Sequence, residues 1–251
     1  MTRILVTNDD GVYSPGLEVL MKELAKIGEV TSVVPHQERS SVSHSLTLHS
    51  PLRINKVRKN IFTSTGTPSD CVLIGLFDIM KKNKPDIVVS GINMGPNLGD
   101  DVTYSGTVAA SIEAILRGFP SFAVSVASFS RCRFDVAAKF SRRLAEYVLE
   151  RKLPSNTFLN VNVPSVAAGK IRGVEITRLG RRIYKDTLVR RKDPRGGVYY
   201  WIGGKEPASD MKEGTDSAAV MKNKISVTPV HLDLTNYGLM SELENWNIEF
   251  P

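Results

Sequence analysis

Apolar and polar positions along the first 150 residues switch repeatedly between two periods. Residues 4–6 (Ile-Leu-Val) form a short apolar, β-rich run ended by Asn8, Asp9 and Asp10, with Gly11 closing the turn. That pattern predicts a buried strand near the N-terminus. Ser14 and Pro15 suit an N-cap and first helical turn. Leu17, Leu20, Met21 and Leu24 then share one helical face, and Gly28 is the stop signal. Residues 30–34 predict a second strand and residues 35–43 a polar loop. Residues 45–57 alternate (Leu46, Leu48, then Leu52, Ile54) and predict a hairpin or an antiparallel extension. Thr65-Gly66-Thr67-Pro68 reads as a turn opening a helix through Asp70, Leu73, Leu76 and Ile79. A third buried strand is expected at residues 86–89, a glycine-rich loop at 90–104 and a helix at 107–116. A strand at 122–126 and a helix at 134–149 follow. Strands alternating with helices imply an α/β fold with a mostly parallel sheet and right-handed crossovers.

Beyond residue 152 the pattern changes. Residues 158–163 and 171–177 predict strands. Between 178 and 224 apolar density falls while glycine and charge rise, which suggests an extended arm or hairpin rather than a second globular domain. Residues 225–228 look like a returning strand. Leu239, Leu243 and Trp246 sit at helical spacing in a terminal amphipathic segment. The chain therefore divides into an α/β core, residues 1–177, and an extension, residues 178–251, expected to serve oligomerisation. The cluster Tyr199, Tyr200, Trp201 and Ile202 on the arm should be buried against something, and another subunit is the expected partner. The terminal helix could pack on a neighbour or on its own domain.

Composition narrows the class. At 41% hydrophobic and 24% charged, the 251 residues have the make-up of an ordinary globular protein. No apolar run approaches the ~18 residues of a membrane helix. The first strand follows the N-terminus with no signal-peptide core before it, so a cytoplasmic protein with no membrane partner is expected. Cys71 and Cys132 form no CxxC pair and suit reduced thiols. The net charge of +7 favours anionic partners such as phosphates, nucleotides or nucleic acid, but much of the excess lies in residues 178–195.

Ligands of an open parallel sheet bind outside the carboxyl ends of its strands. Asp9 and Asp10 follow the first strand, Glu38-Arg39-Ser40 the second, and residues 91–99 the third, so all three polar loops share one edge. Adjacent carboxylates repel, and a cation removes that cost; an Asx-rich strand stop accounts for the same residues. Carboxylate, hydroxyl and amide donors suit a hard cation such as Mg²⁺ or Mn²⁺. Ser105, Gly106 and Thr107 precede an Ala- and Ile-rich helix and read either as a phosphate-binding turn or as an ordinary N-cap. The absence of GxGxxG and Walker A motifs disfavours a dinucleotide cofactor or a P-loop NTPase.

Together, Thr7-Asn8-Asp9-Asp10-Gly11, Glu38-Arg39-Ser40, His44-Ser45, Thr65-Gly66-Thr67-Pro68-Ser69-Asp70-Cys71, Ser90-Gly91-Ile92-Asn93-Met94-Gly95-Pro96-Asn97 and Tyr104-Ser105-Gly106-Thr107 resemble the survival protein SurE family of metal-dependent nucleotidases. The resemblance runs nearly the full length, in order. It implies a Rossmann-like, three-layer α/β/α sandwich and a dimer or tetramer that exchanges a C-terminal segment. It implies one divalent ion per subunit on Asp9, Asp10, Ser40 and Asn93, and hydrolysis of nucleoside 5'-monophosphates, with 3'-monophosphates and short polyphosphate as further substrates. Asp9, Asp10 and Asn8 are then the catalytic candidates, with Asn8 orienting water or substrate. Asn97, Ser105, Gly106 and Thr107 are the phosphate and substrate candidates, with His44 a candidate for proton transfer. A covalent aspartyl-phosphate route usually needs a second Asp two positions after the nucleophile, and here Gly11 or Val12 stands there. A non-enzymatic nucleotide or nucleic-acid binder would instead use Arg178, Arg181, Arg182, Lys185, Arg190, Arg191 and Lys192, but that leaves the acidic site unexplained.

Overall fold

The structure, a computed structural model, describes residues 1–183, 188–202 and 208–250. In chain order the elements are β1 (Arg3–Thr7), α1 (Pro15–Leu24), β2 (Glu29–Pro35), β3 (Ile54–Arg58), β4 (Ile61–Ser64), α2 (Pro68–Ile74), β5 (Ile87–Met94), α3 (Gly106–Leu116), β6 (Ser121–Ala127), α4 (Phe134–Arg151), β7 (Thr157–Pro164), β8 (Val174–Ile176), β9 (Arg182–Ile183), β10 (Leu188–Lys192), β11 (Val198–Ile202), β12 (Ala208–Ser209), α5 (Asp216–Met221), β13 (Ile225–His231) and α6 (Tyr237–Glu244).

Nine strands form one sheet in the order β3-β4-β2-β1-β5-β6-β7-β13-β8. Pairing is parallel except for β3 against β4 and β13 against β7. Successive residues of β1 serve opposite faces: Ile4 and Val6 pack with Leu17, Leu20 and Leu24 of α1 and with α4. Leu5 packs with Val33, Cys71, Leu76 and Ala110 on the α2 and α3 side. Burial on both faces explains the unbroken apolar runs and gives the three-layer α/β/α arrangement.

Several expectations are corrected in detail. β5 does not stop at residue 89 but continues to Met94, because its far half pairs with β6 through Asn93↔Ser125 and Met94↔Val126. The glycine-rich loop therefore begins after Met94. The antiparallel extension is the hairpin β3–β4, which leaves residues 45–53 without helix or strand. α1 ends at Leu24, a turn before Gly28. The turn before α2 is a capping box: the Thr67 hydroxyl accepts from Asp70 N at 3.1 Å and the Asp70 carboxylate from Thr67 N at 2.9 Å. Asp70 also accepts from Thr47 N, so this motif fastens the long loop to α2 rather than facing a ligand.

The segment beyond residue 177 is not all arm. β13 is an internal strand of the main sheet, and α5 buries Ala218 and Ala219. The hairpin β10–β11 and α6 remain exposed. No helix among the described residues is long and apolar enough to cross a membrane.

Candidate active site and metal centre

Chain order reverses around β1, which has β2 on one side and β5 on the other. Such a switch point leaves a crevice at the carboxyl ends of the strands. Asn8 shapes the turn that enters it. Its Nδ2 donates to Gly11 O at 2.9 Å and its Oδ1 accepts from Gly11 N at 3.1 Å. Each polar end of Asn8 thus makes one bond that shapes the turn carrying Asp9 and Asp10, and one amide hydrogen remains.

Asp9 is buried and its Oδ1 accepts from the Thr107 hydroxyl. Burial raises the Asp9 pKa, while hydrogen bonds from the Thr107 side chain and backbone oppose the rise. Asp9 therefore sits at the amino end of α3, where free N–H groups and the helix dipole favour an anion. Gly106 makes this approach possible: a Cβ there would lie 2.9 Å from Asp9 Cβ and 3.1 Å from Arg39 O. The Ser105 hydroxyl is the N-cap, accepting from Val108 N at 3.1 Å. The turn expected to cradle phosphate thus gives its helix end, the Thr107 hydroxyl and the Gly106 gap to the Asp9 carboxylate.

Asp10 is pushed up to about 7, first by burial and then by the neighbouring Asp9 charge, with Glu38 adding to the rise. Its Oδ2 is buried without a hydrogen-bond partner among the described residues. A buried acceptor of this kind needs a proton or a cation.

β1 pairs with β5 only as far as Thr7↔Ser90, so residues 91–94 project beyond the end of β1. Asn93 donates its Nδ2 to Gly95 O at 2.8 Å, which turns its amide oxygen into the end that could hold a cation. Ser40 donates to Glu38 Oε1 at 2.7 Å and keeps its oxygen lone pairs. The Ser40 loop is tied to the site by Arg39 N donating to Asp9 O at 2.7 Å and Ser43 N to Tyr104 O at 3.0 Å.

Asp9, Ser40, Asn93, Asn97 and Ser105 line one cavity of about 750 Å³, together with Ser41, Met94, Pro96, Asp101, Tyr104, Phe129 and Ile202. No Lys or Arg is among these described lining residues. Among the described residues no three His, Cys, Asp or Glu side chains converge as a metal cluster. The available donors are instead two carboxylates with a neutral hydroxyl and a neutral amide, and that all-oxygen set, with its orphaned Asp10 oxygen, fits a hard divalent cation.

His44 does not line this cavity. Its Nε2 lies 2.7 Å from Oε2 of the buried Glu113 on α3, whose other oxygen accepts from Arg117 Nε at 2.7 Å. It braces the loop against α3. The basic residues are also dispersed: Arg182 donates to Asp101 at 2.9 Å, while Arg190, Arg191 and Lys192 stand on exposed β10. Lys185 lies outside the described residues.

Sequence reasoning missed the shell behind Asn97. Asn97 O accepts from Asn160 Nδ2 at 2.8 Å and Asn162 Nδ2 at 2.9 Å, and Asn97 N donates to Asn162 Oδ1 at 2.8 Å. Asn97 Nδ2 donates to Ser125 Oγ at 2.7 Å, leaving one amide hydrogen. The available signal was two asparagines at alternate positions of an apolar strand, a costly placement unless both are paired.

The sequence profile of the family described as "Survival protein SurE" matches residues 4–186. A relative named 5'-nucleotidase SurE, from Geobacter sulfurreducens, is 52% identical over 246 residues, covering 98% of this chain and 94% of its own. Another of that name, from Geotalea daltonii, is 50% identical over 98% of this chain and 99% of its own. The crystal structure of the SurE protein from Aquifex aeolicus superposes with a TM-score of 0.88 at 42% identity, covering 98% of this chain and all of that one. Fold, motif order and full-length similarity agree: this chain belongs to the survival protein SurE family.

Proposed function

We propose that this chain is a metal-dependent phosphomonoesterase that hydrolyses nucleoside 5'-monophosphates, with 3'-monophosphates and short polyphosphate as further substrates. The observations that carry this reading are a cavity with Asp9 and Asp101 but no Lys or Arg in its described lining, and, next to Asp9 in the chain, a buried Asp10 carboxylate oxygen without a hydrogen-bond partner among the described residues. A phosphate dianion enters such a cavity only if a cation offsets the carboxylates. The curated relatives named 5'-nucleotidase SurE support the substrate class.

Asp9, Asp10, Ser40 and Asn93 would hold one Mg²⁺ or Mn²⁺. Bound there, the ion supplies Lewis acidity toward the phosphoryl oxygens and a water of lowered pKa. The chain's own residues do the rest. Thr107 and the end of α3 orient Asp9 and oppose the rise that burial imposes on its carboxyl. Asn8 fixes the spacing of the two carboxylates. Asn97, held rigid by Asn160, Asn162 and Ser125, offers its remaining amide hydrogen to a phosphoryl oxygen. The test is phosphate release from a panel of nucleotides before and after chelation, with Mg²⁺ or Mn²⁺ restored. Release that is indifferent to chelation would overturn the metal, and no release from any nucleotide would overturn the substrate class.

A further inference from the structure

The lining of the cavity at Asp9 contains two chemically different sets of residues. One is polar: Asp9, Ser40 and Asn93. The other is apolar: Met94, Tyr104, Phe129 and Ile202 of β11. Tyr104 is 59% exposed, Phe129 65% and Met94 50%. Large side chains clustered and left open on one rim mark a binding surface.

The backbone of Tyr104 and the ring of Phe129 are each held in place. Tyr104 N donates to Asp101 O at 3.0 Å, and Tyr104 O accepts from Ser43 N at 3.0 Å. Phe129 lies against Gly95, where an added Cβ would come within 2.4 Å of the ring's Cε1. Gly95 has φ +107°, so the turn there both needs glycine and clears the space for the ring. A hydrolase for small polar phosphate esters would need only the polar set.

We propose that Tyr104 and Phe129 are the nucleobase platform of this enzyme, with Met94 completing its apolar floor. The inference rests on the nucleotidase reading and deepens it: the phosphate goes to the acidic end and the base to the aromatic rim. A cavity of about 750 Å³ is within the range of small-molecule sites. Stacking on aromatic faces tolerates every base, because each has a π-face. Tyr104 and Phe129 therefore set substrate affinity for nucleotides as a class.

The test compares adenosine 5'-monophosphate, cytidine 5'-monophosphate and ribose 5-phosphate, which lacks a base, with full-length protein and Mg²⁺ or Mn²⁺. Tyr104→Ala and Phe129→Ala should each raise KM for both nucleotides about tenfold, with kcat within about twofold. KM for ribose 5-phosphate should stay within about twofold of its wild-type value. Phe129→Trp, which keeps a stacking face, should keep KM for the nucleotides low. Equal changes for all three substrates, or none for any, would overturn the platform while leaving the hydrolase reading intact. A wild-type protein that releases phosphate from neither nucleotide would overturn both.

Discussion

At the scale of single residues, Asp10 ties charge, stability and catalysis together. Its carboxyl is raised from 3.8 to about 7 by burial and by Asp9. Between those values the folded, metal-free chain keeps a proton that the unfolded chain has released. This contribution to stability is full below about pH 4 and is lost as pH rises through 7, by at most about 1.4 kcal/mol per unit. The chelated protein should therefore melt at lower temperature at pH 7.5 than at pH 5. Asp10→Asn should flatten that trend and melt higher than the parent at pH 8, while metal binding and phosphatase activity almost vanish. A folded Asp10→Asn protein with full activity at limiting metal would sink the metal-site assignment. Thr107 acts one step back. Thr107→Val keeps the shape but removes the hydroxyl from Asp9. Loss of such an outer partner typically weakens metal binding by about ten- to a hundredfold. Calorimetric titration should show that weakening, and saturating metal should restore much of the activity.

At the scale of elements, the site depends on loops held by buried carboxylates. Asp216 at the start of α5 accepts from Gly99 N at 2.7 Å, Gly180 N at 3.0 Å and Ser217 N at 2.8 Å. It joins the turn after the Asn97 loop to the root of the arm. Asp216→Asn would turn an amide N–H₂ toward at least one of those donors and leave it unsatisfied. The expected loss is about 2 kcal/mol, read as a lower denaturation midpoint at unchanged m-value. The Glu113–His44 contact is the matching brace on the other side, between α3 and the loop that carries Ser40.

At the scale of the molecule, the exposed apolar surface is concentrated beyond residue 187. Tyr200, Trp201 and Ile202 are exposed on the hairpin β10–β11, and Tyr237, Met240, Trp246, Ile248 and Phe250 on and after α6. α6 buries none of its residues. We propose that these surfaces meet another copy of the chain, giving a dimer or tetramer. Removing residues 232–251 should lower the oligomer size or the solubility, measured by sedimentation velocity. A full-length chain that sediments as a monomer at micromolar concentration would refute the assembly.

The sequence by itself determined the parallel core, because strands buried on both faces must read as apolar runs and helices between them as one-sided stripes. It also determined which residues crowd the carboxyl edge, since every βα loop of such a sheet opens there. Local periodicity is blind to what those residues touch. Only the tertiary packing decided that Thr107 and the end of its helix serve Asp9. The extension of β5 to Met94 was likewise decided by pairing with β6, a partner some 30 residues away. The placement of β13 inside the main sheet came from antiparallel pairing with β7, which a four-residue strand signal could not announce. Buried Asn160 and Asn162 were visible as oddities, but their purpose needed the Asn97 loop folded over them. Contacts between residues far apart in the chain have no sequence period, and in this protein those contacts hold the candidate site together.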